Sequence, residues 1–256
     1  MILNRLGNKK AIASEIQKYF PEHKIYIEPF FGSGGMFFNK PKARYNFLND
    51  IDSDIFNLYN VILDKKNDFL YALEITPYSS ELFEYWKKNK EFEPIKKALR
   101  FVYLSNYGYL GKPDSIQYNI QNNKKQAVIK LNRTINFLKD CDIQFMNFDF
   151  RKVYKSIAFR QDVEKSKVLI YCDPPYLGTN DNYSHSFTEQ DSIDLFDTLQ
   201  ATGCKFAMSE FDNEFILNQA KKRGLNVIVI GERKNLKNRR TEILITNYEK
   251  QKSLFD

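Results

Sequence analysis

Strand-length apolar runs fill the second half of the chain and restrict what it can fold into. Residues 143–148, 167–172, 205–208, 226–230 and 243–247 are rich in β-branched and aromatic side chains. Helix-like segments, such as 193–199 and 214–223, separate several of them. Strands that alternate with helices build a mostly parallel sheet with helices packed on it. The last two runs are joined only by a polar, basic loop too short for a crossover helix, so they are predicted to form an antiparallel hairpin. The expected fold class is therefore α/β.

The first half begins the same way. Residues 12–20 place Ile12, Ile16, Tyr19 and Phe20 on one helical face, and Pro21 ends that helix. Lys24-Ile25-Tyr26-Ile27-Glu28 reads as a buried strand. It runs into the glycine turn Pro29-Phe30-Phe31-Gly32-Ser33-Gly34-Gly35, then an apolar helix start at Met36-Phe37-Phe38. A second strand, residues 45–49, ends in Asp50, which completes a βαβ unit. Residues 54–105 show a helical period, and 106–133 read as polar and irregular. At 256 residues, this is one large domain or one domain with an insert. The expected division is 1–60 with 141–256 around an inserted segment, 61–140.

Composition removes several function classes. No run approaches the ~18 to 20 apolar residues that span a bilayer, so no membrane role is expected. The polar, basic start is not a signal peptide. Three cysteines without a CxxC pair and two histidines argue against a metal site and for a reducing, cytoplasmic setting. Of the net charge of +7, the segment 61–140 holds +5, from 14 Lys and Arg against 9 Asp and Glu. Such a patch attracts a polyanion. On charge alone a solvated helical surface is the simpler account.

Two motifs carry chemistry. In Glu28–Gly35 the glycines let the backbone turn sharply and approach a ligand, and the acid Asp50 at the next strand end can accept from a ribose diol. A glycine-rich turn alone is weak evidence. Asp173-Pro174-Pro175-Tyr176 follows a strand. Its prolines donate no N–H and stiffen the strand end. The Asp173 carboxylate and the Pro174 carbonyl are then neighbouring acceptors, suited to a planar amino group, and Tyr176 offers a face for a base. Alone, this motif is equally a rigid turn with an aromatic plug.

Asp173–Tyr176 resembles the DPPY motif of amino-group DNA methyltransferases, and Glu28–Gly35 resembles their EPFxGxG cofactor loop. Their order around an insert is similar to that of the Dam-type (D12 class, alpha-group) DNA adenine-N6 methyltransferases. Arg5-Leu6-Gly7-Asn8-Lys9 resembles the WxGGK segment of that family, with Arg5 in place of Trp and Asn8 in place of Gly. Asn49-Asp50-Ile51-Asp52 resembles its DIN segment, Asn147-Phe148-Asp149-Phe150 its GDF segment, and Glu242–Tyr248 its closing EVLxxNY strand. The usual target-reading segment is replaced by Leu104-Ser105-Asn106-Tyr107-Gly108-Tyr109-Leu110-Gly111-Lys112, so GATC recognition does not carry over.

The resemblance implies a Rossmann-like methyltransferase sheet with helices on both faces and an inserted, mainly helical DNA-recognition domain. It implies S-adenosylmethionine (SAM) as cofactor, held by Arg5, Gly7, Lys9, Glu28, Pro29, Phe30, Gly32, Gly34, Asp50, Ile51, Asp149, Phe150 and Asp173. Asp173, Pro174, Pro175 and Tyr176 would be catalytic, acting on a flipped-out base. Double-stranded DNA would meet Tyr107, Tyr109, Lys112, Lys124, Lys125 and Arg133 of the insert, and Arg239 and Arg240 of the hairpin. The enzyme is expected to act as a monomer in the cytoplasm of a bacterium, host- or phage-encoded, with or without a cognate restriction endonuclease. A cytosine-N4 methyltransferase, an RNA substrate and an inactive DNA-binding specificity protein stay open as alternatives.

Overall fold

Side chains alternate cleanly between the two faces of the central strands. In β1, Ile25–Glu28, and β4, Val168–Cys172, every residue is buried. Tyr26, Leu169 and Tyr171 point into one apolar core, while Ile25, Ile27, Val168, Ile170 and Cys172 point into a second. A strand buried on both faces needs a layer on each side, which is the arrangement of a covered parallel sheet. The computed structural model describes residues 2–3, 9–118, 124–159, 165–178, 187–234 and 239–249.

The sheet has seven strands in the order β3-β2-β1-β4-β5-β7-β6. Its other members are β2, Tyr45–Asn49, β3, Asp142–Met146, β5, Lys205–Phe211, β6, Asn226–Lys234, and β7, Arg239–Thr246. The pairs β1–β2, β2–β3, β1–β4 and β4–β5 are parallel. Strand β7 runs antiparallel between β5 and β6, so the predicted hairpin forms.

One face carries α1 (Ala13–Gln17), α2 (Ser53–Asp64), α3 (Lys66–Ile75), α4 (Ser80–Lys88), α5 (Pro94–Tyr107) and α6 (Lys124–Lys139), whose buried residues join the first core. The other carries α7 (Phe150–Val153), α8 (Glu189–Thr202) and α9 (Glu214–Lys222), which join the second. The starts are chemically marked. Asp52, Ser79 and Asn213 cap α2, α4 and α9, Pro94 opens α5 behind Glu93, and Thr188 with Asp191 forms a capping box on α8. Helices α2 to α6 lie in the chain between β2 and β3 and share one continuous apolar core with the sheet.

Two expectations need correction. No α-helix follows the glycine turn: Phe37–Asn39 makes a single 3-10 turn, and Pro41 then fixes the chain in an extended course. Residues 106–133 are not irregular throughout, because α6 starts at Lys124. Its buried Ala127, Leu131, Thr134, Ile135 and Leu138 keep a helical spacing that the surrounding Lys, Asn and Gln residues obscure. Among the described residues no helix is long and apolar enough to cross a membrane.

Candidate active site

The sheet topology brings the two motifs together. From β1 the chain proceeds to one side through β2 and β3, then returns to β4 on the other side of β1. The C-terminal ends of β1 and β4 thus flank a topological switch point, where α/β sheets open a crevice. With Ile27 paired to Ile170, the Glu28-Pro29 end of β1 lies beside the Cys172-Asp173 end of β4.

On the β1 side, Gly32 and Gly34 have φ of +54° and +76°, conformations that favour glycine. A Cβ on Gly32 would meet open space, whereas one on Gly34 would lie 2.5 Å from the Phe38 ring. The Gly32 N–H donates to Asp50 Oδ2 at 2.6 Å, and the Asp52 N–H donates to Asp50 Oδ1 at 2.9 Å. Asn49 ties three strand ends. Its Nδ2 donates to the carbonyls of Pro29 and Phe148, both at 2.9 Å, and its Oδ1 accepts from the Phe148 N–H at 2.8 Å. Phe30, Phe150 and Phe187 cluster beside them, with ring centroids 5.5 to 6.0 Å apart.

This set fits a nucleoside cofactor. The half-buried Asp50 carboxylate, the open side of Gly32 and the Phe30 and Phe150 rings offer an acceptor for a diol, close backbone approach and apolar faces. Glu28 is buried, accepts the Tyr26 hydroxyl at 2.8 Å, and is pushed well above the usual carboxylate range by desolvation. Pro29 is also buried, and Ile51 is exposed. Asp149 faces its own helix instead, capping α7 and pairing with Arg151 at 3.1 Å. Arg151 continues to Asp191 at 2.5 Å and Asp194 at 2.7 Å, which clamps α7 to α8.

On the β4 side, Asp173 is half-buried and Pro174 buried. The Lys9 ammonium, expected to hold the cofactor, lies 2.9 Å from Asp173 Oδ1 and 2.7 Å from Glu242 Oε1, and also meets the Tyr176 hydroxyl. Tyr176 is 8% exposed; its hydroxyl donates to Glu242 at 2.5 Å, and its ring packs edge-on against Phe211. Glu210 lies next to this group, its carboxyl raised to about 8 chiefly by desolvation. Sequence reasoning gave no role to Glu242, Glu210 or Asn49. The legible signal was an acid inside each of two apolar strands.

The expected nucleic-acid residues divide. Tyr107 is 3% exposed and packs on Tyr78 and Tyr103, so it is a core residue and cannot present itself to a duplex. Tyr109 is exposed, as are Lys125 and Arg133, while Lys112 and Lys124 are half-buried. The turn that presents Tyr109 depends on Gly108, where a Cβ would lie 2.0 Å from the Lys112 carbonyl. Arg240 sits over the Phe211 ring at 5.3 Å. Arg239 opens β7. Arg5 and Gly7 lie outside the described residues, as do 179–186 of the segment after Tyr176. No cluster of potential metal ligands occurs among the described residues.

The chain is similar in sequence to several known proteins. DNA adenine methylase of Salmonella typhi is 27% identical over 201 residues, covering 73% of this chain and 69% of that one. The enzyme of the same name from Serratia marcescens is 29% identical over 199 residues, covering 73% and 71%. That of Escherichia coli K12 is 27% identical over 183 residues, covering 66% and 62%. Residues 6–250 match the family model of the D12 class N6 adenine-specific DNA methyltransferases, and the chain belongs to that SAM-dependent family.

Proposed function

We propose that the chain methylates adenine N6 at specific sites in double-stranded DNA, with Asp173 and the Pro174 carbonyl holding the target amino group. The supporting observation is the adjacency of the two motifs, side by side at the β1–β4 switch point. The N6 lone pair is delocalised into the purine ring. Two acceptors drawing on the two N–H bonds pull the nitrogen towards sp3 and direct its lone pair out of the ring plane. The bound cofactor supplies an electrophilic methyl group on a sulfonium. Asp50, the Gly32–Gly34 turn, Phe30 and Phe150 orient that cofactor, so positioning and electrostatics carry the rate. The base leaves the duplex to reach Asp173, because a stacked base presents no free approach.

Tyr109, Lys112, Lys124, Lys125 and Arg133 form the DNA-facing part of segment 61–140, whose net charge of +5 favours phosphate contact. Arg240 joins them from the hairpin, since its stacking on Phe211, itself against Tyr176, puts a cation at the catalytic edge. Arg239 is its neighbour in β7. One chain contributes both halves of the site, which supports action as a monomer. Three free cysteines and bacterial relatives support a cytoplasmic setting.

The test is incubation with unmethylated DNA and labelled SAM, followed by nucleoside analysis. N6-methyladenine in one short sequence context is expected from the wild type, and none from a folded Asp173→Ala variant. N4-methylcytosine, or full turnover by Asp173→Ala, overturns the assignment.

A further inference from the structure

We infer that Glu242 is a positioning residue for methyl transfer, acting through Lys9 to fix the Asp173 carboxylate and keep it a strong acceptor. This rests on the reading that Asp173 receives the target amino group. An ammonium has three N–H bonds, and Lys9 directs them at three acceptors: Asp173 Oδ1 at 2.9 Å, Glu242 Oε1 at 2.7 Å and the Tyr176 hydroxyl. The single Tyr176 proton goes to Glu242 Oε1 at 2.5 Å. Lys9, Glu242 and Tyr176 thus close a ring, with the ammonium also 4.4 Å from the Tyr176 ring centroid. Lys9 is 2% and Glu242 1% exposed, so water screens neither.

Two consequences follow from one cation shared by two carboxylates. The first is geometric. Lys9 lies in a short turn at the start of the chain, Lys9–Ala11, which by itself is a poor anchor. Glu242 is held by the sheet, opposite Phe211 in the β5–β7 pairing, and the antiparallel course of β7 delivers it to the catalytic edge. The second is electrostatic. An ammonium given wholly to Asp173 would draw off the charge density with which that carboxylate accepts a neutral amino group. Glu242 competes for the same cation and leaves Asp173 the better acceptor.

The other titratable groups that face Asp173 are Glu28 on β1, Tyr171 and Cys172 on β4, Tyr176 after it, and Glu210 on β5. Burial pushes all of these upward, away from their charged forms, whereas Lys9 makes ion-pair contact with both Asp173 and Glu242.

The test measures single-turnover methyl transfer at saturating SAM against pH for Glu242→Gln, Lys9→Met and the double variant, with thermal melts as a control for folding. Glu242→Gln is expected to lose about tenfold in rate and to move the acid limb to lower pH, while Lys9→Met moves that limb to higher pH. In the Lys9→Met background Asp173 and Glu242 are left as unshielded like charges, so adding Glu242→Gln restores rate or leaves it unchanged. Equal losses in both backgrounds, or an unmoved acid limb in Glu242→Gln, overturn the inference. Should Glu242→Gln fail to fold, Glu242→Asp retains the charge but draws it back from Lys9, and a smaller loss and a smaller shift in the same directions are expected. Full transfer by Asp173→Ala would instead remove the underlying assignment, whereas an inactive Asp173→Ala with an unmoved Glu242→Gln profile removes only the role of Glu242.

Discussion

The backbone N–H of Gly32 donates to Oδ2 of Asp50 at 2.6 Å, joining the turn after β1 to the tip of β2. The bond makes the glycine turn and the acid one unit, and Asp52 seals its other oxygen. Asp50→Ala removes both the diol acceptor and the support of the turn. SAM affinity measured by calorimetry should fall by about tenfold to a hundredfold, the range for losing charge-assisted hydrogen bonds. Unchanged affinity would remove Asp50 from the cofactor site.

The two glycines of that turn should respond differently. Gly34→Ala places a methyl 2.5 Å from Phe38 and 2.7 Å from Phe31, at a φ of +76°. Gly32→Ala meets only the backbone cost of its positive φ, about 1 kcal/mol. Gly34→Ala should therefore lower the melting temperature clearly more than Gly32→Ala. A reversed order in thermal melts would contradict the packing described here.

Tyr107 and Tyr109 are two residues apart in sequence and opposite in role. Tyr107→Ala opens a cavity beside Tyr78 and Tyr103 and should cost about 3 kcal/mol of stability. Tyr109→Ala should leave stability within about 0.5 kcal/mol of the wild type. It should weaken DNA binding, read by fluorescence anisotropy at fixed salt. Equal melting of the two variants would refute the division.

Glu210 makes stability depend on pH. Its carboxyl is raised to about 8 in the folded chain, above the ordinary carboxylate value, so the native state binds the extra proton. Its stabilising share is complete in acid, declines from about pH 4 upward and is gone above about pH 8. Glu210→Gln keeps an acceptor for the Phe211 N–H and removes the titration. Denaturant melts should show a flatter profile between pH 5 and 8 for the variant, with a relative gain near pH 8 on the order of a few kcal/mol. A profile parallel to the wild type would remove Glu210 as its source.

The sequence alone determined the strands, the order of the motifs and the chemistry they serve. The apolar runs in residues 24–28 and 167–172, the prolines after Asp173 and the polar loop before β7 are local features, and local features survive in a linear reading. Where the local signal was mixed, tertiary context decided. Pro41 left the Met36–Phe38 segment one short turn, and α6 gained its helix from packing its apolar stripe onto the core. Only the tertiary structure decided that Tyr107 is buried and that Asp149 serves its own helix. It also decided that Asp173, just after β4, and Glu242, on β7, share the Lys9 ammonium. Burial and charge sharing depend on which strands become neighbours, and the physical reason is the antiparallel insertion of β7 beside β5, which carries Glu242 back to the edge where Asp173 stands.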